Sequence, residues 1–245
     1  MDNYKLSFES FLKCTNEKKI LLNSLSKYIK RLKIKSVLDI GAGNGSMAIP
    51  LSKMVNFYFA IEKNKIFVKK LQSEGIKVIE EDFLKNDIKL EKRFDLVLCS
   101  YVIPHDKNFK KFVSKAWEYV SPKGYLLIIT QRLSHDEWGR FCKKIKFKNY
   151  WDNPSFFPKL INYLKSLGKF SINEVISTIK AKKLNEFFLA LTFIASEGEK
   201  EKEYLFYHNK NKIIAIINRD YIKKGSYEFP TKHYFIFCRK LSKNL

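Results

Sequence analysis

The chain has 245 residues, of which 45% are hydrophobic and 29% charged, with a formal net charge of +22. That length bounds it to one large domain or one domain carrying an inserted cap, and the lack of an uncharged apolar run of about 18 residues excludes a membrane-spanning helix. Of the 47 basic residues 41 are Lys and six are Arg, scattered in pairs such as Lys69-Lys70 and Lys182-Lys183, which fits a solvated surface and a biased composition better than a nucleic-acid footprint.

The N-terminal stretch lacks a basic region followed by an apolar one, so no secretion signal is expected. Phe8, Phe11 and Leu12, then Ile20, Leu21, Leu25, Tyr28 and Ile29, recur at helical spacing on either side of Cys14-Thr15-Asn16. This predicts two leader helices, the second capped by Thr15 or Asn16 with Glu17 in its first turn, where the helix dipole favours an ionised carboxylate. Next comes Lys35–Pro50, in which the apolar run Val37-Leu38-Asp39-Ile40 stops at Gly41-Ala42-Gly43-Asn44-Gly45 and an amphipathic segment follows. That pattern reads as a buried parallel strand, a glycine turn that lets backbone approach a ligand, and a helix from about Asn44 to Met54. The spacing is G-x-G-x-G and not the G-x-G-x-x-G of a dinucleotide site. Asp39, two residues before the first glycine, suits a ligand with a cationic amine better than a pyrophosphate.

The pattern continues in register. Phe57–Ile61 is a second strand ending in Glu62, and Asn64–Gln72 a helix stopped by Gly75. Ile76–Glu80 is a third strand, followed by Glu81-Asp82-Phe83, and Phe94–Ser100 is a fourth. A carboxylate at the end of the second strand can accept two hydrogen bonds from a ribose diol, and one after the third can accept from an adenine amine. Val37–Gly45 and these strand ends resemble the motifs of the class I, Rossmann-like S-adenosylmethionine-dependent methyltransferases over residues 35–130. The resemblance implies an α/β fold with a doubly wound seven-stranded sheet, mostly parallel with an antiparallel last strand. It also implies a methyl-transfer enzyme with S-adenosylmethionine as its donor. It places Asp39, Gly41 and Gly43 around the methionine part of the donor, Glu62 on the ribose, and Asp82 and Phe83 on the adenine, with Glu81 competing for the acid role; Ala42 and Ser100 are further expected donor-binding residues.

The loop Ser100-Tyr101-Val102-Ile103-Pro104-His105 lacks the [D/N/S]-P-P-[Y/F] motif of base-modifying methyltransferases, and resembles that of enzymes acting on small molecules. Tyr101 and His105 are its candidate catalytic residues. Asn108–Tyr119 is a predicted helix and Gly124–Thr130 a fifth strand. Ser134-His135-Asp136-Glu137 opens a helix through Ile145, and Asn153-Pro154 one through Leu167. A sixth strand over Phe170–Ile179, a helix over Leu184–Ser196, a charge run Glu197–Lys202, an unassigned strand or helix at Ile213–Ile217 and a closing strand Tyr234–Cys238 complete the chain.

The leader Ser7-Phe8-Glu9-Ser10-Phe11-Leu12, followed by Glu17, also resembles the histamine N-methyltransferase-like family, which implies that Glu17 and Tyr101 contact the substrate. Tyr101 departs from that family's glutamine at its position. The expected organisation is a leader or lid at 1–33 and a methyltransferase domain at 34–245, with the donor half at 34–131 and the cap and last strands at 132–245. The expected function is methyl transfer to a nitrogen, or an oxygen, of a small molecule, possibly an amine. The alternatives are an RNA or protein methyltransferase using the basic surface, and a donor-binding module without activity. No specific nucleic-acid partner, membrane or metal is expected. Cys14, Cys99, Cys142 and Cys238 are too far apart for a zinc motif and read as reduced, mostly buried thiols of a cytoplasmic protein.

Overall fold

The computed structural model describes residues 3–131, 136–148, 153–196 and 199–241. Helices α1 (Asn3–Cys14) and α2 (Glu17–Leu32) are separated where the Glu17 N–H donates to Thr15 Oγ1 at 3.1 Å. Strand β1 (Ser36–Ile40), helix α3 (Ala48–Ser52), β2 (Phe57–Glu62), α4 (Lys65–Ser73), β3 (Lys77–Glu80), β4 (Phe94–Ser100), α5 (Phe109–Glu118) and β5 (Val120–Thr130) follow. Next come α6 (Glu137–Ile145), α7 (Phe156–Leu167), β6 (Lys169–Ala181), α8 (Leu184–Ser196), α9 (Lys200–His208), α10 (Lys210–Asp220), β7 (Ile222–Lys223) and β8 (Ser226–Arg239).

Local chemistry accounts for most of these boundaries. Asn64 caps α4, its side-chain oxygen accepting from the N–H groups of Ile66 and Phe67, and Asp136 does the same for α6 toward Trp138 and Gly139. The expected cap Ser134 and its neighbour His135 lie outside the described residues, as do Glu197 and Gly198 of the charge run. Ile213–Ile217 falls in α10, a helix. The helix after the glycine turn is shorter than expected. Gly41, Gly43 and Gly45 all take left-handed φ values, +76°, +58° and +82°, so the turn persists and α3 begins only at Ala48.

The sheet order is β3-β2-β1-β4-β5-β8-β6, with the two-residue β7 paired to β8 as an eighth strand among the described residues. The pairs β2/β3, β1/β2, β1/β4 and β4/β5 are parallel, and β5/β8 is antiparallel with Thr130 opposite Tyr234. The chain divides into two compact units. The larger, residues 21–131, 153–175 and 233–245, holds β1 to β5 and the doubly wound core. Alternation along β1 serves both faces of this sheet. Leu38 and Ile40 join a cluster with Val97, Phe112, Val113 and Leu160 of α7, while Val37 joins Leu21, Leu25 and Ile29 of α2 with Leu51 and Leu71. The smaller unit, residues 1–20, 132–152 and 176–232, is held by aromatic packing. Trp138, Phe141, Phe187, Phe188, Phe206 and Phe229 are all buried there, and Phe8 and Phe11 of α1 contact Phe193 of α8 at ring distances of 5.2 and 4.9 Å. The leader is thus divided between the units, α1 packing with α8 in one and the body of α2 contributing to the core of the other.

Candidate active site

Parallel order reverses between β2-β1 and β4-β5, and in such sheets ligands sit beyond the carboxyl ends of the strands at that switch point. A cavity of about 480 Å³ opens there in the larger unit. Its wall includes Gly41, Gly43, Glu62, Glu81, Asp82, Phe83 and Tyr101. Gly41 lies against the loop after β4: a Cβ there would stand 2.3 Å from Val102 Cγ1, and its φ is left-handed as well. Gly43 instead faces open space, with nothing within 4 Å of the position a Cβ would take.

Glu62 is buried, and its carboxylate is fixed by backbone on both sides. Gly43 N–H donates to Oε2 at 2.8 Å, and Asn64 N–H donates to Oε1 at 2.9 Å. The strand end, the glycine turn and the start of α4 therefore converge on one acceptor-only group. On the other side of the cavity, Asp82 Oδ1 accepts from Leu84 N–H at 3.0 Å, and Glu81 Oε2 accepts from the Asn86 side chain. The Phe83 ring is buried edge-on against Phe112, with ring centres 5.0 Å apart. Lys115 of α5, which no sequence motif singles out, donates to the carbonyls of Phe83 (2.7 Å) and Asn86, and lies 4.9 Å from the Phe83 ring centre. It fastens the loop that carries Asp82 and Phe83.

Other expected residues stand elsewhere. Asp39 is not on the cavity wall. The pleat sends it to the face opposite Leu38 and Ile40, where it is buried and accepts the Tyr58 hydroxyl at 2.6 Å. Burial and the neighbouring Asp39 carboxylate raise the pKa of that phenol well above its ordinary range. Ala42 packs toward the same face, and Ser100 ends β4 half-buried, both off the wall. His105 stacks on Phe156 with ring centres 4.3 Å apart, and its carbonyl accepts from Asn153 at 2.8 Å. Although the residue as a whole is exposed, the stacked face is shielded from water, which lowers the imidazole pKa. Pro104, and not His105, reaches the cavity. Glu17 belongs to the smaller unit and is half-buried. Burial raises its pKa against the opposing pull of Lys18.

Tyr101 does line the cavity, and it brings a partner that sequence reasoning missed. Its hydroxyl lies 2.5 Å from Nδ1 of His233, a fully buried residue of β8. The two are 132 positions apart, and only the antiparallel pairing of β5 with β8 brings them together.

The model of the methyltransferase domain family matches residues 8–188, most of the chain. The chain belongs to that family. It is a class I member, for which S-adenosylmethionine is the methyl donor. The methyltransferase is 24% identical over 125 residues to a ubiquinone biosynthesis O-methyltransferase of Rickettsia canadensis, covering 49% of this chain and 53% of that protein. It is 23% identical over 154 residues to N-methyltransferase 4 of Papaver somniferum, covering 59% and 43%. The chain thus spans about half the length, or less, of the curated relatives it matches. Its fold is that of the YcgJ protein of Bacillus subtilis, with a TM-score of 0.60 at 16% identity over 90% of this chain and 99% of the other. Among the described residues no helix is long and apolar enough to cross a membrane, and no group of three His, Cys, Asp or Glu side chains is placed to hold a metal ion.

Proposed function

We propose that this methyltransferase binds S-adenosylmethionine in the switch-point cavity and methylates a nitrogen or oxygen of a small molecule. The observation that carries the reading is Glu62, buried at the strand end, fixed by two backbone N–H groups and facing a cavity whose other side holds Asp82 and Phe83. Glu62 would hold the ribose hydroxyls as an acceptor-only group, Asp82 or Glu81 the adenine amine, and Phe83 the adenine plane. Gly43, with open space where a Cβ would stand, leaves room for the methionine part. When bound, the donor supplies an electrophilic methyl on a sulfonium, which leaves as a neutral thioether. The chain's own task is to align the acceptor and exclude water, a proximity effect worth several kcal/mol. Four buried cysteines, none in a disulfide, fit a reducing, cytoplasmic setting. The net charge of +22 should draw polyanions in a salt-sensitive, sequence-indifferent way and gives no ground for a specific nucleic-acid acceptor.

Calorimetric titration tests the reading. S-adenosylmethionine and its demethylated product S-adenosylhomocysteine should bind, and a nicotinamide dinucleotide should not. Tight binding of the dinucleotide with none of the sulfonium donor overturns it.

A further inference from the structure

Tyr101 is held in an uncommon conformation. Its φ is +57°, in the left-handed region, and the other non-glycine residues described with positive φ are all lysines. Such a conformation is disfavoured in a residue with a Cβ, and it persists where surrounding structure fixes it. Two contacts fix it here: the Tyr101 N–H donates to the Ile129 carbonyl at 2.9 Å, and the hydroxyl lies 2.5 Å from His233 Nδ1. Gln131 Nε2 approaches the same Nδ1 at 3.2 Å. With the amide in this orientation, Nδ1 faces the Gln131 N–H, a donor only, and the Tyr101 hydroxyl, which can donate or accept and here donates to it. It therefore carries the lone pair, and the ring proton belongs on Nε2. The imidazole is fully buried, while the phenol it backs is on the cavity wall and 40% exposed.

We propose that Tyr101 and His233 form a proton-accepting pair, and that the methyl acceptor they serve is a hydroxyl group of a phenol or enol. This deepens the donor-binding reading above and rests on it. A neutral amine already has the lone pair that attacks carbon, and it loses its proton to water afterwards. A hydroxyl is a poor nucleophile until its proton leaves, so a built path for that proton serves a hydroxyl acceptor in the transfer step itself, whereas an amine need only be bound in its neutral form. The acceptor O–H proton passes to Tyr101 Oη as the Tyr101 proton passes to His233 Nδ1. The oxygen keeps the electron pair of its broken O–H bond and uses it to form the bond to the methyl carbon, while the carbon–sulfur bond breaks and its pair stays on the sulfur that leaves as a neutral thioether. His233 becomes imidazolium, holding the positive charge that the donor gives up, and returns the proton through Tyr101 to water after product leaves.

Two measurements test this. Nitrogen-15 NMR of the protein bound to S-adenosylhomocysteine should show His233 Nδ1 without a proton, with its resonance moved in Tyr101→Phe. In turnover with a phenol series from 4-methylphenol to the more acidic 4-nitrophenol, the wild type should methylate the phenols. Tyr101→Phe and His233→Gln should each lower kcat for 4-methylphenol on the order of 100-fold. They should lower it far less for 4-nitrophenol, which ionises unaided, with donor KM unchanged and the double variant no worse than either single one. Should His233→Gln fail to fold, Tyr101→Phe alone supplies the dependence on phenol acidity. A proton on Nδ1, equal losses across the series, or no transfer to any phenol overturns the proposal. Failure to bind S-adenosylhomocysteine at all would instead remove the donor reading beneath it.

Discussion

The two compact units are built by different means. In the larger one, backbone does the specifying: a left-handed glycine turn, strand ends in parallel register, and a carboxylate gripped by two main-chain N–H groups. In the smaller one, rings do: Trp138 lies within 5.7–6.4 Å of the ring centres of Phe141, Phe206 and Phe229, and Phe141 meets Tyr221 and Phe229 edge-on. Backbone constraints admit few residue types at fixed spacing. Aromatic packing admits many, provided that volume is kept. The first kind of construction leaves a motif in the sequence, and the second leaves only composition.

Substitutions in each unit should therefore read out differently. The largest effect is expected for Phe141→Ala in the smaller unit, where a fully buried ring leaves a cavity. Thermal melting should show a loss of about 3–5 kcal/mol, while titration with S-adenosylhomocysteine below the melting range shows unchanged affinity. A matching fall in donor affinity would abolish the contrast. Glu62→Ala should do the reverse, weakening donor binding by about 2–3 kcal/mol through lost charge-assisted hydrogen bonds, with a smaller change in melting. Glu74→Ala, at the far end of α4, is the control and should change neither.

Asp136 gives a pH handle on the smaller unit. It is buried, burial pushes its carboxyl up to about 6 against the opposing cap bonds from Gly139 and Trp138, and among the described residues its Oδ2 has no hydrogen-bond partner. A raised folded-state pKa in an acid means that the native state binds the extra proton. Stability should thus decline as pH rises from about 4 through about 6, and stay lower above. Asp136→Asn keeps the capping oxygen and removes the charge. It should gain about 1–2 kcal/mol at pH 7 and flatten that decline, as read by melting at several pH values. A variant that keeps the wild-type slope would assign the slope to another group.

The smallest effect sharpens the adenine side. Lys115→Met frees the loop of Phe83 and Asn86, and should weaken donor binding by about 1 kcal/mol with melting little changed, while Lys115→Arg restores part of it. Equal donor affinity in the Met and Arg variants would mean that the fastening is without consequence for the ligand.

The same contrast sets how much was legible in the sequence. The placement of Glu62 and Asp82-Phe83 at one cavity was, because each stands at the carboxyl end of a strand in a parallel sheet. Asp39 is close to Gly41 in sequence but does not line that cavity. The period of two along β1 already sets it on the face opposite Leu38 and Ile40, toward Tyr58. The helix after the glycine turn was drawn too long because amphipathic spacing does not register three successive left-handed glycines. His233 left no local trace, since its meaning depends on the register of β8 against β5. Lys115 looks like any other lysine on a helix in a chain with 41 of them.

One arrangement at the strand end has an arithmetic of its own. An ionised carboxylate offers about four lone-pair sites. Gly43 and Asn64 occupy one on each oxygen of Glu62. Two are left, one per oxygen, and a ribose diol brings two O–H donors. Under the proposed donor reading, the main chain thus sets the valence of the site as well as its position: a 2′-deoxy donor would strand one acceptor, a third hydroxyl would find none, and a shorter aspartate would have to give up its anchors to reach the sugar.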